Sequence, residues 1–216
     1  MPKPNDGHFT MVVMQQGGHA EHFTEHQRKM FEPHADFVRL NWAGDMKDDQ
    51  ADYVVTNPKM SWSEGRQFLY ELVIRDLGKY DYYMFLDDDV TFREEDMVHM
   101  IQSIALWNPL CMAFRRWFKP KGQWAWDHQN DAQSRLPYCY CVHDEDHMIL
   151  HRSVLETLFP LVYHGVGCMM WIIERLVHDL FHAEKNIRVP SIVVTNELHR
   201  ARGEGHGHRK TPKQFN

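Results

Sequence analysis

Tyr80-Asp81-Tyr82-Tyr83-Met84-Phe85-Leu86-Asp87-Asp88-Asp89-Val90-Thr91-Phe92 is the stretch that decides the fold. An unbroken apolar and aromatic run, residues 82–86, leads straight into three aspartates. So short a run, bounded by Gly78 and by charge, predicts a strand buried on both faces. Its end places carboxylates at the carboxyl edge of a sheet, where open α/β folds put their ligands. Asp87 and Asp89 are expected on one side of the strand and Asp88 on the other. Adjacent carboxylates repel one another and are relieved by a hard cation. Mn2+ or Mg2+ is the expected ion, with phosphate oxygens completing its shell. The plainer alternative is a solvated acidic turn leading into the next helix, whose N-terminus favours negative charge.

Upstream, residues 9–16 read as a strand closed by Gly17-Gly18, and residues 19–31 carry Ala20, Phe23, Met30 and Phe31 at helical spacing before Pro33. Strands are expected over 36–42 and 51–56. Ser61-Trp62-Ser63-Glu64 has the capping-box spacing, and the helix it opens should bury Leu69, Leu72, Val73 and Leu77 and stop at Gly78. Thr91-Phe92-Arg93-Glu94 repeats that spacing ahead of a helix burying Met97, Met100, Ile101 and Ile104. Alternating strands and helices predict βαβ units and a mostly parallel sheet.

The second half is less regular. A strand is expected over 110–114, then a long tryptophan-bearing loop over 117–135, of the kind that serves as a lid or binding loop. Strands follow over 136–142 and 147–151, flanking Asp144-Glu145-Asp146. A helix over 167–183 and a last strand over 187–195 complete the pattern. Pro190 demotes that strand to an edge or a bulge. The tail from residue 200, rich in Gly, His and basic residues, is expected to be mobile.

Residue 87 onward, DxD after an apolar strand and before a helix, with alternating strands and helices ahead of it, resembles the GT-A glycosyltransferases. That resemblance implies a single domain with a Rossmann-like nucleotide-binding half over 8–114 and an acceptor-binding half over 115–200, followed by the tail 201–216. It implies transfer of a sugar from a nucleoside-diphosphate sugar, a UDP-sugar in first place, to a glycan or other hydroxyl acceptor. Asp89 would coordinate the metal directly, and Asp87 would reach the ribose or a metal-bound water. His199, just after the last strand, would add a third metal ligand, with His206 and His208 as substitutes. Arg66 and Lys59, at the start of a helix, would serve the diphosphate, and Asp87 and Asp88 are counted with the residues that bind the nucleotide sugar. Gln15, Gln16 and Asn41, at the ends of the first two strands, would lie by the nucleotide base.

The catalytic base stays open. Inverting members of the family place an acid behind a Gly-containing loop, and His164-Gly165-Val166-Gly167-Cys168-Met169-Met170-Trp171 offers Met169 at that point. Glu174 is the nearest carboxylate, and Asp144 and Asp146 belong to the other acidic cluster. A retaining enzyme, which needs no base, and a catalytically inactive nucleotide-sugar or glycan-binding module also fit. In the binding module the tryptophan loop would form a carbohydrate platform.

Two other motifs compete. Asp87-Asp88-Asp89-Val90-Thr91 also fits the DxDxT pattern of haloacid-dehalogenase-like Mg2+ phosphatases, with Asp87 as nucleophile. That family puts this strand near its N-terminus, whereas here a nucleotide domain's worth of chain precedes it. His178-Asp179-Leu180-Phe181-His182 has two histidines at zinc-protease spacing, but Asp replaces Glu and the pattern reads better as a solvated helix face.

Composition narrows the classes further. With 43% hydrophobic and 25% charged residues, the 216-residue chain can bury an ordinary globular core. A net charge of −6 argues against a general nucleic-acid binder. The longest clean apolar run, 166–173, is far short of the ~18 residues that span a bilayer. Met1-Pro2-Lys3-Pro4-Asn5-Asp6 lacks a signal-peptide core, so a cytoplasmic location is the expectation. Cysteines 111, 139, 141 and 168 follow no metal-ribbon spacing and read as free thiols.

Overall fold

The structure is a computed structural model that describes residues 9–18, 25–42, 51–57, 60–118, 125–126, 138–139, 147–158 and 185–196. Its centre is one mixed sheet built from β1 (Met11–Gly17), β2 (Asp36–Asn41), β3 (Tyr53–Val54), β4 (Tyr82–Asp87), β5 (Cys111–Phe118), β6 (Ala125–Trp126), β7 (Tyr138–Cys139), β8 (His147–His151) and β9 (Asn186–Asn196). The order is β3-β2-β1-β4-β8-β5-β9-β7, with β6 hairpinned onto β5. Along that path β1 to β5 and β9 run one way, while β7 and β8 run against them. The expected α/β class and central sheet flanked by helices are what the chain forms.

β1 and β4 are buried at every position, as befits strands covered on both faces. One face packs Met11, Val13, Met84 and Leu86 against α1 (Glu25–Phe31) and α3 (Glu94–Trp107). The other packs Val12, Met14, Tyr83 and Phe85 against α2 (Trp62–Asp76) and α4 (Arg152–Leu158). Among the described residues no helix is long and apolar enough to cross a membrane.

The capping box at α2 forms as expected. Ser61 Oγ accepts from the Glu64 N–H at 3.3 Å, and Glu64 Oε2 accepts from the Ser61 N–H at 2.7 Å. Gly78, at φ +98°, takes the left-handed turn that ends the helix. Leu77, expected in the core, is the C-cap residue and stays exposed. The second expected box does not form. Arg93 is the N-cap of α3 without a side-chain cap, because Thr91 is drawn into a bridge with Thr195. The helix holds regardless: Met97, Met100, Ile101 and Ile104 are buried at roughly 1.5–3 kcal/mol each, against about 1 kcal/mol for a lost cap.

Three other expectations change. β5 runs on through Trp117 and Phe118 and pairs back with β6, so the expected loop over 117–135 begins as a hairpin. α4 was not anticipated at all. Pro190 lies at a bulge, not an edge: β9 sits between β5 and β7, and its register with β5 jumps from Phe114↔Val189 to Arg115↔Val193. A proline has no N–H for the ladder, so the slip falls where it costs least. The expected helix over 167–183 and the tail lie outside the described residues.

Candidate functional site

The first chain excursion from β1 builds β2 and β3 on one side, and the chain then returns to build β4 on the other. That reversal makes the carboxyl ends of β1 and β4 a topological switch point, the usual ligand position in such sheets. Register brings the expected residues to this edge: Gln16 pairs with Asp87, and Gly17 with Asn41.

The three aspartates have different surroundings. β4 ends at Asp87, and Asp88 and Asp89 form a turn in which the Val90 N–H reaches the Asp87 carbonyl at 3.4 Å. The strand pleat therefore does not set the side on which Asp89 lies, contrary to the expected alternation. Asp87 Oδ1 accepts from Arg66 Nη2 at 2.7 Å, and both side chains are largely buried. α2 delivers Arg66 near its start, so the arginine expected to meet a diphosphate is here a partner of the first aspartate. Asp88 is buried in a notch over Gly17, where any Cβ would stand 1.9 Å from Asp88 Oδ2. Asp89 alone of the three is partly exposed.

Gln15, Gln16 and Asn41 have no exposed surface. Gln15 is committed to Arg39 and Gln27, so a nucleotide base would meet it only after that network opened. Lys59, Asp144, Asp146, Glu174, His199, His206, His208, His178 and His182 lie outside the described residues. Among the described residues no group of three or more His, Cys, Asp or Glu side chains is arranged to hold a metal ion.

One contact at this edge was not legible in the sequence. Thr91 and Thr195 exchange backbone hydrogen bonds at 2.9 and 3.0 Å, and their hydroxyls meet at 2.6 Å. This ties the end of β9 to the residues just after the aspartates. Thr91 carried a signal for a helix cap, which masked its other use.

No protein-family model matches the chain, and a search of curated proteins finds no match by sequence. Solved structures do share its fold. The chain is similar to the crystal structure of GalNAc-T7 with UDP, GalNAc and Mn2+, with a TM-score of 0.60 and 11% identity. That match covers 90% of this chain and 45% of the other, so the chain spans less than half of that protein. It is also similar to A197 from STIV, with a TM-score of 0.51, 11% identity and coverage of 85% and 83%. At that identity the likeness speaks for architecture alone: the chain has a glycosyltransferase-like α/β fold of the GT-A kind.

Proposed function

We propose that the chain is a metal-dependent glycosyltransferase, moving a sugar from a nucleoside-diphosphate sugar, with a UDP-sugar as first choice, to an acceptor hydroxyl. The observation that carries this reading is the run Asp87-Asp88-Asp89 emerging from β4 at the carboxyl edge beside β1, with the Arg66 guanidinium in contact with Asp87. The UDP, GalNAc and Mn2+ bound by the structurally similar GalNAc-T7 support it.

The donor set suits a hard divalent cation, since carboxylate oxygens are what Mg2+ and Mn2+ prefer. Asp89, the least buried of the three carboxylates, and Asp87 would hold it, with His199 as third ligand. Bound there, the cation supplies charge that stabilises the departing diphosphate. The Thr91–Thr195 pairing supports the His199 assignment, because β9 ends at Asn196 beside the aspartate turn. Arg66 and Lys59 add positive charge for the phosphates, and Asp88 keeps the turn seated on Gly17. The acceptor hydroxyl needs a base, and Glu174, Asp144 and Asp146 are the candidates.

A thermal-shift panel of UDP, GDP, CMP and UDP-sugars, each with and without Mn2+, tests the reading. A ligand at a hundredfold its Kd stabilises the native state by about 2.7 kcal/mol. In a chain of this size that raises the midpoint by roughly 5–10 °C. The expected result is a shift that requires both Mn2+ and UDP, and that Asp89→Ala abolishes with its ligand-free midpoint within about 2 °C of wild type. Silence across the panel, or an undiminished shift in Asp89→Ala, rejects the metal assignment. A shift from Mg2+ with a phosphate mimic instead would favour the phosphatase.

A further inference from the structure

Arg39 on β2, Gln15 on β1 and Gln27 on α1 are buried side by side, and none of them is a candidate metal ligand or base. Arg39 Nε donates to Gln15 Oε1 at 2.9 Å, and Gln15 Nε2 donates to Gln27 Oε1 at 2.9 Å. Gln27 Nε2 in turn donates to the Val90 carbonyl. A guanidinium can only donate and a carbonyl can only accept. The two ends therefore dictate the orientation of both amides, because flipping either would set like atoms against each other. Arg39 is itself steadied over the Phe37 ring, 5.0 Å from its centroid. Its charge strengthens the first link and polarises those that follow.

The chain terminates on the residue next to Asp89. Val90 is fully buried, and its N–H closes the turn onto Asp87. The turn is thus held at the Val90 carbonyl by Gln27 of α1. We propose that Gln27 is a positioning residue: by fixing the Val90 carbonyl it sets the turn that presents the Asp89 carboxylate to metal and diphosphate. This rests on the proposed function for what Asp89 binds, though not for the hold on the turn. Gln15, placed by its sequence position near the nucleotide base, serves as the middle link.

Gln27→Glu tests this with almost no change of shape. Read at a pH alkaline enough to ionise it, the carboxylate still accepts from Gln15 but cannot donate to Val90. Backbone hydrogen exchange over residues 86–92 should accelerate about tenfold, the scale of one lost hydrogen bond, while β1 keeps its protection. Mn2+-dependent UDP affinity of the folded protein should fall by a similar factor. A merely structural role would lower the unfolding midpoint and leave that affinity alone. Wild-type exchange over 86–92 in folded Gln27→Glu overturns the proposal, as does a loosened turn with full UDP affinity. Should Gln27→Glu fail to fold, Gln27→Met, similar in shape and without either bond, gives the same readouts. A wild-type protein that binds no Mn2+–UDP sinks the functional reading, and the exchange arm still decides whether Gln27 holds the turn.

Discussion

Arg66 and Asp87 are 21 positions apart, and their contact depends on where α2 docks against β4. Nothing local to either residue encodes it. The sequence displayed the three carboxylates plainly, yet could not show that the first would be held by a buried guanidinium, the second seated on Gly17 and the third left partly exposed. Removing one partner of such a pair strands the other charge in a poorly hydrated place. Arg66→Met should therefore cost about 3 kcal/mol in urea unfolding. Arg66→Met combined with Asp87→Asn should recover most of that loss, because neither partner of the pair then leaves a stranded charge. Strictly additive costs in the double-mutant cycle would show that the two side chains do not act as a pair.

Elements whose ends are set by short-range chemistry were readable, and those set from a distance were not. The Ser61–Glu64 box and the Gly78 stop lie within a few residues of the helix they bound, so α2 appears much as its sequence suggests. The Thr91–Glu94 spacing is just as good, but a threonine 104 positions away claims Thr91 first. α4 begins on an unconventional acceptor, His151, whose Nδ1 takes the Ser153 N–H at 3.2 Å and lies 2.8 Å from its hydroxyl. Partial burial, with Arg152 adding to it, holds the His151 pKa below its ordinary value of 6.5, while Asp81 and Glu156 oppose the shift. Because the unfolded chain takes up the proton first, the contribution is complete above about pH 6.5. It is lost as pH falls through the lower folded value. His151→Asn keeps an acceptor for Ser153 without titrating, so its loss of stability between pH 7.5 and pH 5.5 should be smaller than that of wild type. Equal losses in parallel urea titrations would dismiss His151 as the source.

For the molecule as a whole, alternation of strands and helices conveyed the α/β class, and the apolar run ahead of Asp87 conveyed a strand covered on both faces. Strand order was beyond reach, since a strand's composition reports its burial and not its neighbour. Pro190 shows the limit: its missing N–H predicts an edge or a bulge, and only the presence of β7 selects the bulge. The least foreseeable feature is β8, which lies between β4 and β5 although it is made after both. In a fragment ending at residue 118, β4 would have one bare edge and β5 would lack both β8 and β9. Such a fragment should self-associate and show no cooperative melt, whereas a monomeric, cooperative fragment would mean that the first half folds by itself. The same arrangement bears on synthesis. Asp87 ends β4 and His147, 60 positions on, begins β8. At about 5–20 residues per second the ribosome needs roughly 3–12 s to cover that distance. Throughout that interval the growing chain carries an apolar strand with one bare edge, a binding site for a chaperone and a point of entanglement with its neighbours on the same message.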